Sequence, residues 1–252
     1  MTTTTGAGWA TAVRARLGLG RLLPLGEAAD GAWLAERAAR AVLLRAATAV
    51  RGVAPGLLRV GLAGGGAAGE APFPVPPGGL PPGPLRITAE FTATPERPLP
   101  VLAEEVREAL FAAAVAELGL MVVEVDLRVT GLVEELPATG PAEGGDGSSD
   151  APVSAHPPGG TSATAEDPAS KKSATKDPAG LAALTVEGVA ALTDVLGTPV
   201  HRAPGLLRVE VAVTAGHRAL DVARSVRTAV TATVTATAPE ATAVTVLVSE
   251  IR

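Results

Sequence analysis

Apolar and polar residues alternate with period two at two matched places in the chain. In LRITAEFTA, Leu85, Ile87, Ala89 and Phe91 face one way, and Arg86, Thr88, Glu90 and Thr92 the other, as in a half-buried strand. LRVEVAVTA does the same with Leu207, Val209, Val211 and Val213. A helical spacing follows each. In VLAEEVREALFAAAVAEL, Leu102, Val106, Ala109, Leu110 and Ala113 share a face opposed by Glu104 and Glu108; in ALDVARSVRTAV, Val222, Val226, Ala229 and Val230 repeat it. Closing strands are predicted from Met121 (MVVEVDLRV) and Thr242 (TAVTVLVSEI). Upstream, a helix is predicted from about Gly31, with Asp30 as N-cap. Ala35, Ala39, Val42, Ala46 and Val50 form its buried face; Arg37, Arg40, Thr48 and Arg51 form its wet one. GRLLPLG before it reads as a short strand. In TAVTATVTATA, Thr228 to Ala238, the β-branched residues are poor helix formers, and only the repeat argues for helix.

Pairings along these elements keep an offset of 120 to 122 residues, as a duplication produces. VRGV (Val50 to Val53) matches VEGV (Val186 to Val189) at an offset of 136, the difference being a Pro/Gly-rich insertion in the first copy. The heptapeptide APGLLRV occurs twice, at Ala54 to Val60 and Ala203 to Val209. In this alignment the two are not equivalent: the first lies in the strand after VRGV, the second enters the next strand. The fold class expected is α+β, built as two related small units, β-α-β-β-α-β and α-β-β-α-β. Each has helices on one face of a mainly antiparallel sheet. The organisation reads as a basic N-terminal segment (1–19), a first unit (20–133) with a loop insertion (64–84), a linker (134–178) and a second unit (179–252). The linker is rich in Pro, Gly, Ser, Thr and acids, and cannot bury enough surface to offset its ordering entropy, so disorder is expected.

Charge sharpens this division. The net charge is −5, and Glu134 to Gly180 carries all of it, with eight acids against three lysines. The rest has eighteen of each sign, so the folded part lacks the basic excess of a nucleic-acid binder. There is no Cys, hence no disulfide, thiol nucleophile or Cys-ligated metal. No apolar run reaches ~18 residues, the length of a membrane span. In the N-terminal segment arginines are interspersed with apolar residues, unlike a signal peptide.

Catalytic chemistry finds no purchase. GGGAAG (Gly64 to Gly69) contains G-x-G-x-x-G, but EAPFPVPP after it cannot open the helix a dinucleotide site needs. Outside the linker only Ser225 and Ser249 are serines, and neither has a base in sequence context. His156 sits in the linker; His201 and His217 flank one strand, with Asp221 near, short of the three or four convergent ligands a metal requires. Two stretches suit contact instead. WATAVRARLGLGRLL presents Trp9 with Arg14, Arg16 and Arg21, fit for an anionic membrane surface or an acidic partner. Phe111, Val115 and Leu118 form a second apolar stripe on the helix of residues 101–118, away from the core stripe, fit for another unit or subunit.

In order, GRLLPLG, AARAVLLRAATAVRGV, PLRITAEFTATPERPLPVLAEEVREAL and MVVEVDLRVTG resemble the alkaline shock protein family of Gram-positive envelope stress proteins. TVEGVAALTDV, LLRVEVAVTAGHRALDVARSVRTAV and TAVTVLVSEI resemble it again, as a tandem divergent member would. That resemblance implies a non-enzymatic cytoplasmic scaffold without cofactors, peripheral at the inner face of the membrane. It also implies protein partners: a membrane anchor, related family members, or further copies in a homo- or hetero-oligomer. An alternative resemblance, to the cytoplasmic domain of cation diffusion transporters, implies a metal-sensing or regulatory module, with His201 and His217 as the residues to test.

Overall fold

The computed structural model describes residues 18–64, 72–134, 177–237 and 242–252. The first described strands are β1 (Leu22–Pro24) and β2 (Ala32–Ala35), an antiparallel pair around a 3-10 turn at Ala28–Asp30. Helix α1 (Glu36–Thr48), β3 (Val53–Leu62) and β4 (Leu85–Ala93) follow, then α2 (Leu99–Ala112), a π-helical extension (Ala113–Leu118) and β5 (Val122–Leu132). The C-terminal part runs α3 (Pro178–Leu184), β6 (Val189–Leu192), β7 (Val200–Ala203), β8 (Leu206–Val213), α4 (Ala219–Thr237) and β9 (Ala243–Ile251). The fold is mixed α+β with two sheets. One is β3-β4-β5; the other is β1-β2-β9-β8-β6, with β7 also on β8.

In both sheets a strand returns through a helix to lie parallel beside its predecessor, as a crossover requires. Leu85 opposes Val122 in one pair and Leu207 opposes Val244 in the other. Gly52 and Gly188 have φ of 85° and 87°, open to glycine without strain. Their carbonyls accept from the backbone N–H of Thr94 at 3.0 Å and Thr214 at 2.8 Å. The strand opposite β4 is continuous, whereas that opposite β8 is interrupted between β6 and β7.

The helix expected from Gly31 starts instead at Glu36. Gly31 takes a left-handed φ of 58°, and the Phe73 ring lies where its Cβ would stand. The next four residues are drawn into a strand because Ala32, Trp33 and Leu34 pair with Val246, Leu247 and Val248. Tertiary pairing overrides the helical spacing there. Asp30 is therefore no cap for α1. It accepts from the Glu27 N–H at 2.8 Å and pairs with Arg224 of α4 at 2.7 Å. Burial pulls its carboxyl up, but Arg224 and the Glu27 N–H outweigh that and hold it below the usual range.

The short strand at GRLLPLG forms, but it joins the sheet of the C-terminal strands rather than β3–β5. The Pro-rich loop insertion docks on β1 and β2 in its described part. Leu22 donates to Gly78 O at 3.1 Å, Leu80 donates to Leu22 O at 2.8 Å, and Trp33 Nε1 donates to Leu80 O at 3.3 Å. In α4 the threonines turn their hydroxyls onto the preceding turn: Thr228 on Arg224 O, Thr233 on Ala229 O and Thr235 on Thr231 O. Helix α1 packs on β3 and the end of α2, and also on β2 and β9, so both sheets share one core. Of the expected linker only the ends are described; Asp177 caps α3, accepting from Ala179 N–H at 2.9 Å.

Candidate interaction surfaces

Helix α1 and β3 together set a cluster of arginines around a cleft of about 420 Å³, lined by Arg21, Glu36, Arg37, Arg40, Leu57 and Arg59 among others. Arg37 and Arg40 lie three apart, on one helical face; Arg59 comes across from β3. Arg21 is already engaged. Its guanidinium donates to Glu36 at 3.2 Å and to Val60 O at 2.5 Å. Glu36 in turn accepts from the backbone N–H of Val60 at 3.4 Å. Burial raises the Glu36 carboxyl, but the Arg21 side chain and the N–H groups of Arg21 and Val60 prevail and keep it ionised below its usual range. Arg21 and Glu36 thus cancel. Arg37, Arg40 and Arg59 are exposed, and none pairs with a carboxylate among the described residues. Leu57, 45 % exposed, stands beside them. Gly18, the first described residue, also lines the cleft. Trp9, Arg14 and Arg16 lie outside the described residues.

The apolar stripe on α2 needs correction. Phe111 and Val115 are exposed at 46 % and 37 %, but Leu118 is fully buried. The last six residues of the helix are π-helical. A wider turn rotates each later side chain relative to an α-helical wheel, and this carries Leu118 into the core. Gly119 ends the helix at φ 81°, its N–H bonded to Ala114 O at 2.9 Å. Beyond it Met121 and Val123 are exposed, at 42 % and 58 %. With Val115 they border a depression of about 370 Å³ that also touches Arg218 and Arg224. Arg218 Nε donates to Val115 O at 3.0 Å, so α4 forms one wall.

Other polar groups are built into the fold. Glu210 on β8 is fully buried. It accepts from Thr193 Oγ1 at 3.0 Å, Val195 N–H at 2.8 Å and Leu196 N–H at 3.1 Å, pinning the segment between β6 and β7. Burial pushes its carboxyl up, and these donors only partly offset it. Ser249 Oγ lies 2.6 Å from Thr193 Oγ1 in the same cluster. His217 Nε2 is 3.9 Å from Glu187, while His201 lines a different region beside Trp33 and the Pro-rich segment. Among the described residues, no group of three or more His, Asp or Glu gathers around a common point.

The arginine cleft escaped the sequence reading. The spacing of Arg37 and Arg40 was visible, but Arg59 joins them only through the packing of β3 on α1. Glu210 escaped too, because alternation alone places it on a wet face. No family model, no curated protein and no solved structure matches this chain.

Proposed function

We propose that this chain is a non-enzymatic scaffold of the envelope stress response, working at the cytoplasmic face of the membrane. It turns the arginine cleft toward the anionic leaflet and the Phe111 and Val115 surface toward a protein partner. The observation that carries this reading is the cluster of Arg37, Arg40 and Arg59, unpaired with carboxylates among the described residues and set beside exposed Leu57. Cations flanking a small apolar contact suit a surface of anionic headgroups. The cleft is also lined by Gly18 and Gly20, next in sequence to a stretch whose charges, Arg14 and Arg16, are both positive. The resemblance to alkaline shock proteins points the same way. Among the described residues, no helix is long and apolar enough to cross a membrane.

Vesicle flotation tests this. The full chain is expected to float with phosphatidylglycerol-containing vesicles and not with phosphatidylcholine alone. Replacing Arg37, Arg40 and Arg59 together by Glu should weaken that binding on the order of a hundredfold, at about 1 kcal/mol per basic residue. Equal flotation with both vesicle types, or no effect of the triple replacement, would overturn the membrane contact.

A further inference from the structure

The two sheets end differently at the same position. In the larger one the outer edge of β9 is taken by β2, with Ala32 on Val246, Trp33 on Leu247 and Leu34 on Val248. β2 is backed by β1, and β1 by residues 78–80. In the smaller sheet β5 is the last strand, and no described strand lies beyond it. Its exposure follows: Val129 and Leu132 stand at 37 % and 57 %, while Val246 and Val248 on β9 are fully buried. A long open edge is a template for another strand, and folds usually blunt it. The opposite edge, β3, is blunted, since Arg21 and Glu36 occupy the C=O and N–H of Val60. At β5, among the described residues, the comparable contact is a loose one, from Arg107 Nε to Val125 O at 3.5 Å.

The sequence of β5 is complementary to itself. Consider an antiparallel pairing across a two-fold axis at Leu127, with both helical layers on one side. Over the regular stretch of β5, Val125 then opposes Val129 of the second copy and Leu127 its own counterpart. On the outer face Asp126 opposes Arg128, twice over by symmetry. Opposite charges directly across strands stabilise the pair and like charges oppose it. Registers centred on Asp126, Arg128 or Val125 fail on that ground, and one centred on Val129 sets Arg128 on Thr130 with no opposite charge across. Centring on Asp126 sets aspartate on aspartate, centring on Arg128 sets arginine on arginine, and centring on Val125 sets Glu124 on Asp126. Within one copy Arg86 contacts Glu124 and also lies 3.4 Å from Asp126, and Glu90 lies 3.7 Å from Arg128. The pairing therefore extends an existing ladder: Arg86, Asp126, then Arg128 and Glu90 of the other copy.

We propose that two copies of this chain join edge to edge through β5, making a continuous six-stranded sheet. This goes beyond the membrane reading and stands whether or not the chain binds lipid. The isologous geometry closes on itself, so it yields a dimer and not a fibre.

Sedimentation of the full chain at high micromolar concentration is expected to give a dimer. Asp126→Arg and Arg128→Asp, singly, place like charges opposite and should each weaken the dimer at least about tenfold. The double swap restores the pairing and should return to within about threefold. The chain has no cysteine, so one introduced thiol reports position. Leu127→Cys brings two thiols directly opposite and should oxidise to a disulfide dimer. Thr130→Cys leaves them about six residues apart along the strands, near 20 Å, and should not. A monomer at all concentrations overturns the proposal. So does a dimer indifferent to both single swaps, or cross-linking of Thr130→Cys as fast as that of Leu127→Cys.

Discussion

Strands β4 and β8 begin from the same pattern and meet different surroundings. Leu85, Ile87, Ala89 and Phe91 are buried on β4, as are Leu207, Val209, Val211 and Val213 on β8. The intervening residues part company. Thr88 is exposed and Glu90 half-buried, whereas Glu210 and Ala212 are fully buried. Their parallel neighbours diverge in the same sense: no described strand lies beyond β5, and β9 is covered. Alternation therefore specifies which face meets the helices and leaves the fate of the other face to the rest of the chain. Here the rest of the chain favours one sheet. The β1–β2 hairpin covers β9, the segment after β6 folds over Glu210, and α1 reaches the outer side of β9.

The most severe way to break the comparison is to place the same charge on both last strands. Val246→Asp puts a carboxylate where the side chain is fully buried between β2 and β8. A loss of about 4 kcal/mol or more is expected, enough to unfold the chain or depress its melting temperature steeply. Val129→Asp on β5 should lose only about 1 kcal/mol, because that side chain already meets water. Thermal melts of the two variants at low protein concentration would decide it. Equal losses would mean that β5 is covered as well as β9.

Much of this is legible in the sequence. The helix-facing residues of β4, β8, α2 and α4 were read from periodicity, because burial against a helix writes a strong signal. The glycines of VRGV and VEGV were matched by sequence and share one conformation. What could not be read depended on long-range placement. β2 looks helical until β9 is set beside it. Leu118 looks exposed on an α-helical wheel, and only the π-turn moves it. The arginine cleft exists only once β3 packs on α1, and the open edge of β5 only once β2 has gone elsewhere.

Glu210 gives the next largest contrast. Replacing it by Gln keeps the shape but turns an amide N–H₂ toward backbone N–H donors, leaving a buried donor unmatched. A loss of about 1–3 kcal/mol is expected. Thr88→Gln at the matched place on β4 should change stability by less than about 0.5 kcal/mol, as exposed substitutions do. The pH dependence has a definite sign. Burial raises the folded carboxyl above its ordinary 4.5, so the fold holds the proton more tightly than the unfolded chain does. The favourable contribution of this group is complete below the ordinary value and is lost as pH rises through the raised one. Urea unfolding of the parent and of Glu210→Gln over that window should show the parent falling more steeply. Parallel curves would mean that the donors, not burial, govern the carboxyl.

The matched glycines come next. Gly52→Ala and Gly188→Ala both force a Cβ into a left-handed residue, worth about 1–2 kcal/mol. The contacts separate them. An added Cβ at Gly52 would meet Thr94 Oγ1 at 3.0 Å, while at Gly188 it would meet Val222 Cγ2 at 2.7 Å and the His217 ring at 2.9 Å. Gly188→Ala should therefore be the worse of the two by equilibrium denaturation. Equal losses would place the strain in the turn alone.

The smallest effect belongs to the repeated heptapeptide, where letters are identical and conformations are not. The first copy, Ala54 to Val60, lies within the single strand β3, and its register on β4 shifts between Pro55 and Leu58. The second crosses the turn from β7 into β8, with Ala203 opposite Leu206. Gly56 keeps a φ outside the left-handed region, and an added Cβ would stand 3.4 Å from Glu90 O. Gly205 has φ 70° with open space around it. Alanine at Gly56 restricts the unfolded chain and meets no backbone penalty in the fold, so stability should stay within about 0.5 kcal/mol. Alanine at Gly205 meets no clash but must adopt the left-handed turn, losing about 1 kcal/mol. Denaturant midpoints for the two variants measure this directly. Because the seven residues are the same, any difference between them comes from the fold and not from the peptide. Equal midpoints would show that the two copies adopt one conformation and would undo the alignment that sets them in different strands.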